Sequence, residues 1–292
     1  MHILVADDFV LVELALAQVI QDTPHTLVGV RDPRSLPEVL GQLAPGMRFD
    51  LALIDINFGP GCPTGLTAMR ILRDLSPETK IVIESTDEER NRLLFLLASF
   101  AFFEPLALMS KASPAAAMRE LIDAVDQGDL TGPGFAGRDG TYGVVSQRSE
   151  NRRAASDQQA ASPVQRLIRN TGCLDELIRN STDLVLWRAL IRFDKRGQVA
   201  RAAHVDERTV DRFTASKSQV VDKIQAEFPE GASAAGPPQH WDDPDGQLRH
   251  PNLLRLARFA QTHSHFFADD AIDELFAERW RSPRPRQRRP RR

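Results

Sequence analysis

Asp7 and Asp8, Asp55, Ser85 and Lys111 each end or closely follow a short apolar run of the sequence. Three carboxylates at close range repel one another and resist ionisation unless a cation neutralises them, so a bound divalent metal is their natural companion. Oxygen-only ligands favour Mg²⁺, which takes octahedral geometry at about 2.0–2.1 Å and keeps several waters. A carboxylate beside Mg²⁺, flanked by an ammonium and a hydroxyl, is equipped to accept a phosphoryl group. The metal and Lys111 neutralise the equatorial oxygens, and Ser85 donates to one of them. The alternative is that strand-end Asp and Ser residues cap the helices that follow, the commoner role for any one such residue. Five of them on one rim favour acceptor chemistry.

The elements that would bring them together alternate along the first 128 positions. HILVA (2–6), TLVGV (26–30), LALID (51–55), IVIES (81–85) and LALM (106–109) read as strands. Helical patterns fall at 10–20, 36–43, 65–74, 88–100 and 114–127. Unbroken apolar runs suit parallel strands buried on both faces, which makes this an open α/β sheet covered by helices on each side. In such sheets ligands collect outside the carboxyl ends of the strands, where Asp7, Asp8, Asp55, Ser85 and Lys111 fall.

Composition sets the wider frame. A chain of 292 residues, 42% apolar and 26% charged, predicts two folded units rather than a disordered or fibrous protein. The run LLFLLASFAFF from Leu93 is shorter than a membrane-spanning helix needs, and MHILVADDF lacks the pattern of a secretory signal, so a cytoplasmic protein without membrane contact is expected. Cys62 and Cys173 lie far apart with no CxxC partner, which supports neither a disulfide framework nor a zinc site. The net charge of -3 hides a segregation. Residues 1–130 hold 19 acids against 10 Lys and Arg, whereas residues 281–292 hold seven Arg and no acid. Such an Arg block attracts any polyanion and specifies none.

The segments ILVADDF, DLALIDINFG, IVIEST and LALMSKASPAAAMRELIDAV resemble the receiver domain of two-component response regulators over residues 1–128. The resemblance implies a (βα)5 doubly wound parallel sheet with Asp55 as phosphoacceptor. It implies Mg²⁺ held by Asp7, Asp8, Asp55 and the Asn57 main-chain carbonyl, and phosphoryl contacts from Ser85, Thr86 and Lys111. It further implies a histidine kinase or phosphotransfer protein as donor, and a protein that takes up a phosphoryl group without turning over a metabolite, at most with weak self-dephosphorylation. Leu108 stands where receivers usually place Tyr or Phe, Thr86 replaces a smaller residue, and the loop FGPGCPTG is longer than the common form.

Residues 129–162, rich in Gly, Ser, Gln, Ala and Arg, read as a flexible linker. An all-α domain is expected over 163–228, and GQVARAAHVDERTVDRFTASK (197–217) fits two helices joined by a tight turn near His204. Asp206 suits the N-cap of the second helix. Arg208, Thr209 and Arg212 would face base edges, with Arg201 and Lys217 on phosphates. VARAAHVDERTV resembles the LuxR/NarL-type helix-turn-helix pattern I-A-x-x-L-G-x-S-x-x-T-V, with His204 in place of Gly. That likeness implies DNA as partner, transcriptional control and a homodimer. The other reading is a signalling adaptor whose helical region binds a protein. Residues 229–280 read as a linker and two amphipathic helices, at 251–262 and 268–280, and 281–292 as a disordered tail. His263 and His265 beside Asp269 and Asp270 could hold a metal, though acids there more simply favour a helix start.

Overall fold

The computed structural model describes residues 1–59, 61–86, 92–128, 144–145, 163–228 and 251–281. The predicted helix start at 88–91, nearly all of 129–162, 229–250 and the tail from 282 lie outside them. The chain divides into two units, Met1–Leu174 with Glu227–Ala234, and Asp175–Ala226 with Ala235–Arg292. Among the described residues no helix is long and apolar enough to cross a membrane.

The first unit alternates strands and helices: β1 (His2–Ala6), α1 (Val10–Val19), β2 (Thr26–Val30), α2 (Leu36–Gly41), β3 (Leu51–Asp55), α3 (Gly65–Leu75), β4 (Lys80–Ser85), α4 (Arg92–Phe102), β5 (Ala107–Ser110) and α5 (Ala115–Gln127). Every strand pair is parallel, in the order β2-β1-β3-β4-β5, with a further strand, β6 (Val144–Val145), beside β5. Alternate residues Ile3, Val5, Leu51, Leu53, Val82, Ala107 and Met109 pack with Leu16 of α1 and Leu121, Ile122 and Val125 of α5. Leu4, Ala52, Ile54, Ile81 and Ile83, one step out of phase, are buried too. Both faces are therefore covered, which explains the unbroken apolar runs. The strand order reverses between β1 and β3, so the crevice opens at the carboxyl ends of those two strands.

One feature departs from the expected linker, and one from the expected domain division. β6 (Val144–Val145) adds a sixth strand, with Leu108 opposite Val144 and Met109 opposite Val145. An edge strand leaves unpaired backbone groups that any extended segment can satisfy, and here this chain satisfies part of the β5 edge itself. A helix, α6 (Pro163–Asn170), packs against α4. All seven residues from Leu94 to Phe100 of α4 are buried, as in a helix enclosed on all sides rather than an amphipathic surface helix. The first unit runs through Leu174 and so takes in α6, which the sequence places at the start of the all-α segment 163–228.

The second unit is all-helical: the second half of α7 (Gly172–Leu177), then α8 (Ser181–Arg192), α9 (Arg196–Ala202), α10 (Glu207–Glu227), α11 (Pro251–Thr262), α12 (Ser264–Ala268) and α13 (Asp270–Arg281). Its centre is Trp187, fully buried, whose Nε1 donates to the Leu177 carbonyl at 2.9 Å. The Trp187 ring stacks on Phe267 at 4.9 Å and meets Phe213 at 5.1 Å and Phe259 at 5.6 Å. Residues 251–281 are therefore part of this core, tied further by the Arg188–Asp273 pair at 2.5 Å and Arg279–Asp175 at 2.8 Å.

Candidate phosphoacceptor pocket and helix-turn-helix surface

Strand alternation carries the apolar face of the sheet into a charged rim. Ile3 and Val5 are continued by Asp7, Leu51 and Leu53 by Asp55, Val82 by Glu84, and Ala107 and Met109 by Lys111. Asp7 and Asp55 are 4% and 5% exposed. The Lys111 ammonium lies 2.7 Å from Asp7 Oδ2 and 2.8 Å from Asp55 Oδ2, closing the pocket from β5. Asp7 Oδ1 also accepts from the Phe9 amide at 2.8 Å, which fixes the turn into α1. The turn after β3 approaches closely enough that a Cβ on Gly65 would stand 2.1 Å from the Asp55 carbonyl oxygen, so this position admits only glycine without rearrangement.

Burial pushes the Asp55 carboxyl up to about 6; Lys111 and the Asn57 amide oppose that shift, and the Asp7 charge adds to it. Lys111 is itself raised, since its bonds to Asp55 and Asp7 outweigh the desolvation that would lower it. Asp7, Asp8 and Asp55 each offer a carboxylate oxygen within 4.8 Å of the others. Asp8 Oδ1 is buried and accepts no hydrogen bond. Three converging hard oxygens with an unused lone pair fit a divalent cation of the Mg²⁺ class. No other acid, His or Cys group of that kind occurs among the described residues.

The remaining predicted pocket residues fall less simply. Asn57 supplies its amide to Asp55. Ser85 is buried, but alternation puts Glu84 rather than Ser85 on the face that bears Asp55. Arg92 Nη1 donates to the Ser85 hydroxyl at 3.3 Å and also to the Thr86 carbonyl. Thr86 thus enters through its main chain. Sequence reasoning missed Arg92, and it missed Glu84, which is 2% exposed with Oε2 buried and accepting no hydrogen bond. Burial raises Glu84 to about 7, with Asp7 and Asp55 adding and Lys111 opposing. An acid inside an otherwise apolar run, IVIES, was the available signal.

In the second unit α9, a turn and α10 form the expected helix-turn-helix. His204 holds the turn in the left-handed region at φ 53, where the resembled pattern has Gly. Asp206 Oδ1 accepts from the Thr209 amide at 2.6 Å, the N-cap of α10, and this bond holds its carboxyl below the usual range. Arg201, Arg208 and Arg212 are exposed, and Arg212 donates to Thr209 Oγ1 at 3.1 Å. Arg196 engages Glu207 at 2.5 Å and Asp211 at 3.2 Å, offsetting two acids near the helix start.

Lys217 corrects the sequence reading. It is 1% exposed, with Nζ 2.5 Å from Asp183 Oδ2 and 2.7 Å from the Glu176 carbonyl oxygen. Burial lowers its pKa, and the Asp183 carboxylate opposes the fall. A residue so placed is out of reach of DNA phosphates; it sits on the inward stripe of α10 with Phe213, Val220, Val221 and Ile224. The His263 and Asp269 region also resolves structurally. The His263 ring is buried against Phe259 at 4.5 Å, and Asp269 Oδ1 caps the Ala271 amide at 2.9 Å.

The sequence matches no family model and no curated protein. Several solved structures are similar to part or most of the chain. A signal receiver domain of an HD domain-containing protein from Pseudomonas fluorescens is 17% identical, with TM-score 0.38, over 45% of this chain and 98% of that one. The RcsB response regulator of Salmonella typhimurium is 15% identical, with TM-score 0.45, over 77% and 92%. A structure of RcsB dimers bound to DNA is 12% identical, with TM-score 0.43, over 81% and 99%. At such identities and with TM-scores below 0.5 these stand as likenesses alone, and the chemistry rests on the pocket.

Proposed function

We propose that the chain is a response regulator, phosphorylated on Asp55 and acting on DNA through α9 and α10. The observation that carries this reading is the Lys111 ammonium 2.8 Å from Asp55, inside a pocket completed by Asp7 and Asp8. An Asp55 carboxylate oxygen attacks the phosphorus of the donor, the bond from phosphorus to the leaving group breaks, and the leaving group departs with those electrons. Lys111 neutralises charge on the phosphoryl oxygens. Asp7, Asp8 and Asp55, with the Asn57 carbonyl, would hold Mg²⁺, which when bound supplies further neutralisation of that charge. The pocket takes up a phosphoryl group and turns over no metabolite.

A histidine kinase or phosphotransfer protein has a landing surface beside the acceptor. Phe9, Leu11 and Leu14 are 62%, 69% and 58% exposed, and the Lys111 ammonium lies 6.0 Å from the centre of the Phe9 ring. Grouped apolar side chains at the rim of a charged pocket suit a transient protein contact. The output is a population shift, in which the altered charge at Asp55 biases the first unit between two arrangements and the response is DNA binding by a cytoplasmic homodimer.

A second reading is favoured by Asp206, Glu207 and Asp211, three exposed acids at the start of α10: an adaptor that binds a protein there. Acetyl phosphate labelling with Mg²⁺, followed by a salt-dependent DNA shift of the full chain, tests both. The regulator reading expects labelling lost in Asp55→Asn and the shift lost in Arg208→Ala with Arg212→Ala. Labelling without any DNA shift favours the adaptor, and no labelling contradicts both.

A further inference from the structure

Glu84 faces Asp55 across the β3 and β4 ladder and Met109 across β4 and β5. It occupies the row where the apolar face of the sheet ends and the acidic rim begins. Its side chain is enclosed, and Oε2 accepts no hydrogen bond. It lies outside the set of three carboxylates close enough to share one ion. Glu84 is therefore placed to act by its charge rather than as a ligand. With it four carboxyls, Asp7, Asp8, Asp55 and Glu84, gather at this end of the sheet, where the Lys111 ammonium pairs with Asp7 and Asp55.

We propose that Glu84 sets the charge balance of the phosphoacceptor pocket, favouring the divalent cation and opposing the phosphoryl anion. The proposal rests on the phosphoacceptor reading and deepens it. A buried negative charge attracts a dication and repels a bound phosphoryl group through the same low-dielectric surroundings, so its removal must move the two affinities in opposite directions. A role in packing or backbone geometry would move them together or leave both unchanged. Functionally, Glu84 makes acceptance depend steeply on the cation and leaves the phosphorylated state short-lived.

The test compares the full chain with Glu84→Gln, which keeps shape, and Glu84→Met, which keeps volume without hydrogen-bonding groups, at one alkaline pH. Mg²⁺ alone is titrated by calorimetry, and beryllofluoride, a phosphoryl mimic, is titrated at saturating Mg²⁺. Both variants are expected to bind Mg²⁺ about tenfold more weakly and beryllofluoride about tenfold more tightly, on the order of one screened charge at this range. Without Mg²⁺, both are expected to melt at or above the wild-type temperature, since an unpaired buried charge is gone. Affinities that stay unchanged or move the same way, a difference between the Gln and Met variants, or a loss of stability in both overturns the proposal. A wild-type chain that binds neither Mg²⁺ nor beryllofluoride overturns instead the phosphoacceptor reading beneath it.

Discussion

The Lys111 ammonium stands 2.8 Å from the Asp55 carboxylate, so the proposed acceptor is ion-paired ahead of any phosphoryl transfer. The same ammonium holds Asp7 at 2.7 Å, and its side chain retains 17% exposure. Lys111→Met removes the ammonium that pairs with Asp7 and Asp55 and leaves both buried carboxylates without it. In Mg²⁺-free buffer we expect a loss of about 2 kcal/mol in urea unfolding, below the 3–5 typical of fully buried pairs because water reaches the lysine. Mg²⁺ should restore most of it. A variant equally stable with and without Mg²⁺ would show that Lys111 does not neutralise this cluster.

Asp55 and Glu84, raised to about 6 and about 7, make stability depend on pH. Between the ordinary carboxylate range and pH 7 the folded chain holds more protons than the unfolded one, so stability falls as pH rises through that window. The slope is at most ~1.4 kcal/mol per pH unit for each extra proton held. Chemical denaturation from pH 4 to 8 without metal should show this decline, flattened in Glu84→Gln. Stability rising steadily over the same range would contradict the burial of these acids without a cation.

The exposed apolar side chains Leu11 and Leu14 give α1 a separable role. Leu11→Asp with Leu14→Asp should leave labelling by acetyl phosphate within about twofold of wild type, since neither residue touches the carboxylates, while slowing transfer from a phosphorylated protein donor by tenfold or more, on the order of two lost interface anchors. Equal loss with both donors would place the effect in the pocket itself.

Arg208 and Lys217 should separate surface from core on α10. Arg208→Ala is expected to weaken DNA binding by about 1–3 kcal/mol without changing the melting temperature. Lys217→Met leaves Asp183 buried without its cation and should destabilise the helical unit by about 3 kcal/mol. A stable Lys217→Met protein with a reduced salt dependence of DNA binding would return Lys217 to the DNA surface.

Leu108 and Met109 pair with Val144 and Val145, two residues before Lys111 at their nearest, and α6 covers α4. Under the proposed phosphorylation, a change at Lys111 is expected to reach the β5 edge. Hydrogen exchange of the full chain with beryllofluoride and Mg²⁺ should show altered protection at residues 144–145 and 163–170. Unchanged exchange at both would exclude this strap as the route of the signal.

Much of the first unit was legible in the sequence because buried parallel strands write themselves as apolar runs, and the residues that end them must share a rim. Asp7, Asp8, Asp55 and Lys111 meet there as their positions required. Glu84 was hidden by the same logic: attention to the hydroxyl at the end of IVIES passed over the acid one place earlier, although alternation puts that acid on the Asp55 face. Lys217 was misread because helical phase in the middle of a 21-residue helix depends on what packs there, and Asp183 comes from another helix. β6 carried no local signal, and α6, though expected as a helix, carried none for where it packs; their partners β5 and α4 are distant in sequence, and such pairings are set by tertiary contact.

The central claim is that Asp55 takes up the phosphoryl group. Incubation of the full chain with acetyl phosphate and Mg²⁺, reduction with borohydride and peptide mass spectrometry would locate it. We expect homoserine in place of Asp at position 55 and unmodified peptides elsewhere, with no product in Asp55→Asn. A reduced residue at any other position, or none in a chain that binds Mg²⁺, would contradict the account.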